Sequence, residues 1–356
     1  MKIDDKTSHN SPSIRFPEFT GEWKKCKIED ITDAVSSGKS KNHFSNGEYN
    51  LYGSTGIIGR TDKALYDGKL VLVARVGANA GFLQIINEPC GITDNTLILK
   101  PKGIDAFYLY YFLQHFNLNR LIFGSGQPLI TGGMLKKVKV SLGTISEQSK
   151  IVKFLSLLDE RIATQVRLID RLQSLMIGIR HRIINEAKGK IVCLCEVSDI
   201  YQPQTISSAD LTETGYPVYG ANGIIGHYTS YNHEAEQVCI TCRGNTCGGV
   251  NYTKSKSWIT GNAMVVNVDR YQNIVSKRYL YHYLSNCDFN SIISGSGQPQ
   301  IVRAPLAKFK IILPTVMQQY KIAHCLDVIQ NKINVNSNIL NLLIRQKQYL
   351  LRKMFI

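Results

Sequence analysis

The chain has 356 residues, 44% of them apolar and 19% charged, which excludes a disordered or collagen-like chain and allows two globular domains with cores of their own. Its 42 Lys and Arg against 27 Asp and Glu give a formal net charge of +15, which favours a polyanionic partner through counterion release. Charge alone equally fits RNA, a membrane surface or plain solubility.

No run reaches the roughly 18–20 apolar residues of a membrane span. The polar start Met1-Lys2-Ile3-Asp4-Asp5-Lys6 lacks a signal-peptide core, so a cytoplasmic protein is expected. The nine cysteines follow no regular spacing and are expected as reduced thiols, mostly small core residues.

In chain order, Tyr52-Gly53-Ser54-Thr55-Gly56-Ile57-Ile58-Gly59 reads as a hairpin turn. Leu70–Ala74 and Thr96–Leu99 read as buried strands, and Phe107–Phe116 as a short Tyr-rich helix. After Gly124-Ser125-Gly126-Gln127-Pro128, the run Lys137-Val138-Lys139-Val140 reads as a last strand. A helix of about 40 residues, Glu147–Glu186, follows and would span about 60 Å. Leu155, Ile162, Ile169, Met176 and Ile183 recur along it every seventh residue, with Leu158, Leu172 and Ile179 as companions, the seam of a coiled coil.

The same order then repeats. Tyr219-Gly220-Ala221-Asn222-Gly223-Ile224-Ile225-Gly226 matches Tyr52–Gly59 at a shift of 167. Gly295-Ser296-Gly297-Gln298-Pro299 matches Gly124–Pro128 at a shift of 171, so the second copy has a longer connection near Asp269–Lys277. Val238–Thr241 and Ala263–Val266 read as the corresponding strands, and Arg278–Leu284 as the short helix. The second long helix has Leu326, Ile333, Leu340 and Met354 with Ile329, Leu343 and Leu350; Lys347 interrupts this seam, where its side chain is expected to reach solvent. Gln165 and Asn336 are seam positions related by the same 171 shift. In antiparallel helices the two amides would meet and select the register; the other reading has each facing water. Each globular half is expected to be mixed α+β with a largely antiparallel, strongly twisted sheet.

These residues resemble the specificity subunits of type I restriction–modification systems. The resemblance lies in the opening Ile14-Arg15-Phe16-Pro17-Glu18-Phe19-Thr20-Gly21-Glu22-Trp23, the repeated Gly-Ser-Gly-Gln-Pro and the joint Leu142-Gly143-Thr144-Ile145-Ser146-Glu147-Gln148. The joint repeats as Leu313-Pro314-Thr315-Val316-Met317-Gln318-Gln319; the second copy keeps the family's Leu-Pro-Thr, whereas the first has Gly143. The likeness covers essentially the whole chain.

It implies an α+β fold of two repeated DNA-recognition domains, residues 1–143 and 188–314, alternating with two long helices, 144–187 and 315–356. The helices would pack as an antiparallel coiled coil under a pseudo-twofold. Each domain would read one half of a split double-stranded DNA target, and the helix pair would act as spacer and dock two methyltransferase subunits. Nuclease/translocase subunits would complete the complex. The chain itself would hold no cofactor: S-adenosylmethionine belongs to the partner methyltransferase, and ATP and Mg to the partner nuclease.

Affinity should come from cations on phosphates and specificity from Arg, Asn and Gln at base edges. Phosphate candidates are Lys137, Lys139, Lys308 and Lys310, which alternate with apolar residues and so share a sheet face; the alternative is a solvated face. Arg75 and Arg243 sit in glycine-flanked turns read as equivalent, either for guanine or in a structural salt bridge. Gln127 and Gln298 lie in identical segments, which points to a rigid turn or a phosphate-facing role rather than base reading. Base readers are expected where the copies differ: Ser54 against Asn222, Arg60 against His227, Leu129 against Gln300.

Catalytic signatures are missing. No two of the ten prolines adjoin, as the adenine methyltransferase motif requires; Gly38-Lys39-Ser40 resembles a phosphate-binding loop but has Asp33 where glycine is needed. Cys239, Cys242 and Cys247 align with Val71, Ala74 and Ala80 in the first copy, which favours buried strand residues over zinc ligands, and Cys193 and Cys195 read as alternating on a strand. A methyltransferase or nuclease acting alone and a freestanding DNA-binding regulator are the competing readings.

Overall fold

The computed structural model describes residues 11–41, 46–122, 128–295 and 297–356. It divides into two compact units, Met1–Val166 with Asn338–Ile356, and Arg167–Ser337.

The first unit holds β1 (Lys24–Lys27), β2 (Thr32–Ser37), β3 (Tyr49–Gly53), β4 (Gly56–Thr61), β5 (Lys69–Ala74), β6 (Leu83–Asn87), β7 (Cys90–Ile92) and β8 (Thr96–Pro101). There follow α1 (Ala106–Phe116), α2 (Gly132–Lys136), β9 (Lys139–Leu142) and the start of α3 (Ile145–Glu186). Three sheets form where one was expected: an antiparallel β2-β8-β5-β6, a β4-β3-β7 with β3 and β7 parallel, and the pair β1-β9. The unbroken apolar run of β5 follows from its central place, because both faces are covered. Val71 and Val73 join Leu97, Leu99 and α1 in the main core, while Leu70, Leu72 and Ile98 pack with Cys90 and Ile92. Asp105 caps α1 by accepting from the Phe107 and Tyr108 amides.

In the second unit come β10 (Lys190–Cys193), α4 (Leu194–Val197), β11 (Asp199–Tyr201), β12 (Tyr216–Gly220), β13 (Gly223–Tyr228), β14 (Val238–Thr241), β15 (Val250–Tyr252), β16 (Trp258–Ile259) and β17 (Ala263–Asn267). The rest is α5 (Lys277–Leu284), β18 (Ile293–Ser294), β19 (Gln300–Ile301), α6 (Arg303–Ala307), β20 (Lys310–Leu313) and α7 (Val316–Met354). Its sheets β11-β17-β14-β15, β13-β12-β16 and β10-β20 repeat the three of the first unit, and β18-β19 adds a fourth. The longer connection expected near Asp269 is a 3-10 turn, Asp269–Tyr271.

Helices α3 and α7 pack together within each unit through predicted seam positions. In the first, the seam residues Leu155, Leu350 and Met354 share a core with Ile151 and Leu351, which lie outside the expected seam, and Phe355 closes it against Trp23 and Tyr108. In the second, Met176, Leu326 and Ile333 cluster with Leu172, Ile179 and Ile329. Lys347 reaches solvent less than expected: its side chain is 16% exposed, and its Nζ lies 2.6 Å from Asp159 Oδ1 and over the Tyr111 ring. A seam lysine is accommodated there because a carboxylate and an aromatic face both meet it.

Candidate nucleic-acid interface

In the first unit three chain segments meet at one end of the β5 sheet. Ser54, in the β3–β4 turn, donates from Oγ to the Asn95 carbonyl at 3.3 Å, and the Arg75 amide donates to the same carbonyl at 2.9 Å. Gln84 Nε2 ties the turn down through the carbonyls of Gly53 and Ser54. The third segment arrives by a bridge between Val76 and Leu129, with the Ile130 amide donating to the Arg75 carbonyl at 2.9 Å. Arg75 is half-buried. Among the described residues its Nε is a buried donor without a partner, and no carboxylate pairs with its guanidinium, which argues against the structural salt bridge. Gln127 lies outside the described residues.

The second unit builds the same end with different side chains. Thr241 Oγ1 donates to the Ala221 carbonyl, fixing the β12–β13 turn to β14 and leaving Asn222 exposed. Arg243 bridges Gln300, the Gly244 amide donates to the Pro299 carbonyl at 3.0 Å, and the Ile301 amide to the Cys242 carbonyl at 3.0 Å. Arg243, Gln298 and Gln300 are all exposed. Asn222, Arg243, Gln298 and Gln300 therefore converge, as do Ser54, Arg75 and Leu129.

This geometry corrects one equivalence. Arg75 donates to the Asn95 carbonyl where Cys242 donates to that of Asn262, so Arg75 corresponds to Cys242 and Val76 to Arg243. The two arginines are one residue out of step, which explains why Arg75 is half-buried and Arg243 exposed. The cysteine alignment moves with it. Cys239 pairs with Val265 as Leu72 pairs with Ile98, so Cys239 matches Leu72, and only Cys247 keeps its expected partner, Ala80. Cys239 packs with Tyr219, Ile259 and Val265 and Cys242 joins the main core; burial pushes the Cys239 thiol up. Among the described residues no group of three or more His, Cys, Asp or Glu is placed to hold a metal. Cys193 and Cys195 do not alternate on a strand, because β10 ends at Cys193 and Cys195 belongs to α4.

The remaining candidates lie elsewhere. Arg60 and His227 sit toward the far ends of β4 and β13; Arg60 Nη1 donates to the Glu48 carbonyl at 3.2 Å. Glu88, bonded by Asn50 and Tyr52, is held below the usual carboxylate range, and the Arg60 charge contributes. Lys137 and Lys308 are not strand residues: they are the C-cap residues just after α2 and α6, and the strands begin at Lys139 and Lys310. All four lysines are nevertheless exposed around buried Val138 and Val140 or half-buried Phe309. Gln165 and Asn336 are half-buried on their helices, and Asn336 Nδ2 donates to the Lys332 carbonyl at 2.7 Å.

Sequence reasoning gave no role to the polar residues that seat the helices. Glu147 is buried and accepts from Arg15 Nε at 2.6 Å, Arg15 Nη2 at 2.8 Å and Trp23 Nε1 at 3.0 Å. It also explains Gly143, since a Cβ there would lie 2.3 Å from Glu147 Oε2. At the second joint Gln318 turns to Thr315 instead, and Pro314 fits. Gln148 donates to the Gly143 carbonyl and Gln319 to those of Pro314 and Ile274, both buried. Their occurrence in both joints was the available signal.

Two units that each gather Arg, Asn, Gln or Ser at a glycine-bearing loop end, on a chain of net charge +15, define a basic protein of duplicated design. The chain matches the profile of the type I restriction modification DNA specificity domain twice, over residues 20–174 and 187–345, and belongs to that family. As a specificity subunit of a type I restriction–modification system it is non-catalytic. It is 31% identical over 148 residues to the Escherichia coli type I restriction enzyme EcoprrI specificity subunit, a match covering 40% of this chain and 36% of that protein. A Haemophilus influenzae protein assigned as a type I restriction enzyme specificity subunit is 21% identical over 92% of both chains. In fold, the chain is similar to the type I S subunit of M. genitalium, with TM-score 0.71 and 18% identity over 97% of this chain and 99% of that one. A second solved chain, described in terms of assembly and conformational transition of the type I system, gives TM-score 0.56 and 15% identity over 95% and 98%.

Proposed function

We propose that the chain reads a split double-stranded DNA target, one half-site through each globular domain, residues 1–143 and 188–314. The observation that carries this is the loop end built twice on the same backbone hydrogen bonds but with different side chains: Ser54, Arg75 and Leu129 in one, Asn222, Arg243 and Gln300 in the other. A shared scaffold with changed readers fits two half-sites of different sequence. Lys139 and Lys310, with Lys137 and Lys308, supply phosphate contacts.

The helix segments 144–187 and 315–356 act as an antiparallel coiled-coil spacer, with Gln165 and Asn336 as its register pair, and as the docking surface for two methyltransferase subunits. Support for docking comes from a second apolar stripe on α7: Val328, Val335, Leu342 and Tyr349 recur every seventh residue and are exposed. Nuclease/translocase subunits complete the enzyme. S-adenosylmethionine resides in the methyltransferase, and ATP and Mg in the nuclease.

The test is a methylome. The chain is expressed with its neighbouring methyltransferase subunit, and methyladenines are mapped by single-molecule sequencing. The expected result is a split motif methylated once on each strand. A continuous motif would refute the two-reader geometry; no new methylation, with the partner active beside another specificity subunit, would favour a freestanding DNA-binding regulator.

A further inference from the structure

Each unit leaves a pair of isoleucines in water at its hairpin tip. Ile57 and Ile58 follow the β3–β4 turn and are 57% and 46% exposed; Ile224 and Ile225 follow the β12–β13 turn and are 48% and 50% exposed. On a strand that lies against a core, successive side chains alternate between burial and solvent. Here a β-bulge breaks that alternation: the register shifts between Leu51 and Tyr52 and between Val218 and Tyr219, leaving Ile58 and Ile225 as extra residues, and both isoleucines of each pair stand out into solvent.

The tip is shaped around these side chains. A Cβ on Gly53 would fall 2.8 Å from Ile58 Cγ2, and one on Gly220 would fall 2.9 Å from Ile225 Cγ2. Glycine at those positions lets the isoleucine lie across the ribbon. Gly56 at φ +136° and Gly223 at φ +92° close the turns in a conformation that other residues rarely adopt. Such construction around residues that bury little in their own unit points to an external surface.

The surroundings identify that surface. The first tip is tied to Arg75 through the Asn95 carbonyl that both Ser54 and Arg75 use, and the second to Arg243 through the Thr241–Ala221 bond. Among the described residues no carboxylate pairs with either arginine. The polar neighbours differ between the units, whereas the isoleucine pair is the same. A ligand that varies in its polar pattern but not in its apolar surface is duplex DNA, whose groove walls present sugars and base edges throughout.

Resting on the reading of each unit as a DNA reader, we propose that the two tips enter a groove at each half-target and pack their isoleucines against sugar and base edges. They act as sequence-independent apolar contacts beside the polar readers.

The full-length chain in complex with its methyltransferase subunit is titrated against duplexes carrying the methylome-derived target, over a range of salt concentrations. Ile57→Ala/Ile58→Ala, and separately Ile224→Ala/Ile225→Ala, are expected to lower affinity by on the order of tenfold to a hundredfold for the apolar surface removed. The slope of log affinity against log salt stays that of the parent, because no phosphate contact is lost. Ile57→Ser alone, at the most exposed position, gives a smaller loss and carries the test if a double variant fails to fold. Unchanged affinity, or a flattened salt slope, would overturn the inference. So would loss of the methyltransferase with DNA binding by the remaining chain intact, which would make the tips protein-docking elements. If the parent complex itself does not bind the duplex, the DNA-reading assignment falls too; tight parental binding with indifferent variants removes the tips alone.

Discussion

Substituting Glu147 tests the account of how the first domain is fastened to its helix. The Glu147 carboxylate is 1% exposed and receives both arms of Arg15, itself 14% exposed, together with the Trp23 indole. Glu147→Ala leaves a nearly buried guanidinium and an indole N–H without their acceptor. Breaking a buried pair on one side costs about 3–5 kcal/mol, and the lost neutral bond about 1 kcal/mol more. Arg15 retains an exposed edge that water can reach, so the expected loss is about 3 kcal/mol. The two tryptophans, Trp23 and Trp258, fall in different units, so in a Trp258→Phe background the fluorescence reports the first unit alone. With a urea slope of about 2 kcal/mol per M, the Trp23 midpoint should drop by about 1.5 M. The double variant Arg15→Met/Glu147→Leu should recover more than half of that loss, because it removes both charges together. A midpoint within about 0.3 M of the parent, the scale of an ordinary surface substitution, would show that the network does not fasten the joint.

Acid should weaken the second unit in two stages. Burial lowers the His282 pKa against the pull of Asp327, so below the ordinary histidine range the unfolded chain takes up a proton that the folded one resists. Burial opposes ionisation of Asp327, but hydrogen bonds from His282 and Arg278 hold its pKa down to about 2, so its contribution, complete above the ordinary carboxylate pKa, is lost as pH falls toward 2. Trp258 fluorescence against pH should show both stages, and His282→Asn should remove the upper one and shrink the lower, since Asp327 then loses one of the hydrogen bonds that hold its pKa down. Arg243→Gln should cost about 1–3 kcal/mol in DNA binding and relax the methylated motif at one position of one half-site; an unchanged motif would remove Arg243 from the readers. Lys139→Gln and Lys310→Gln should each weaken binding evenly across sequences and lower the salt slope by roughly 0.9, read by anisotropy. Val335→Glu/Leu342→Glu should abolish capture of the methyltransferase subunit while leaving the melting temperature near the parent's, since both side chains are exposed.

Much of the fold was readable because its signals are local and occur twice. The apolar runs of β5, β8, β14 and β17 and the seventh-residue seams are local patterns, and each unit repeats them. What escaped was set by distant pairing. Phe355 closes the first core from the far end of the chain, and Lys347 meets Asp159 across 188 positions, which no spacing rule reports. The strand starts at Lys139 and Lys310 were misplaced because the alternation of exposure continues through the helix ends that precede them. For the candidate interface, the two hairpin turns lie where the repeat puts them, whereas the one-residue offset of Arg75 from Arg243 depends on pairing to Asn95 and Asn262, far along the chain.

That offset bears on how one scaffold would serve the two half-targets proposed above. The residues that hold the loop end are backbone groups: the amides of positions 75 and 242, 77 and 244, and 130 and 301 make the same bonds in both units. Backbone bonds place no demand on side-chain identity, so the positions they carry are free to vary in chemistry without loss of geometry. Moving an arginine by one residue on such a segment turns its side chain to the opposite face. Arg75 and Arg243 thus present a cation from different faces of the same loop, one half-buried and one exposed, at no cost to the hydrogen-bonded frame. By contrast, the glutamines that seat the helices, Gln148 and Gln319, use their side chains to satisfy buried carbonyls, and there the two copies agree. At these two places, then, the buried glutamine bonds are constant between the copies while the positions held by backbone bonds vary, the division expected where a helix seat is shared and a reading surface is not.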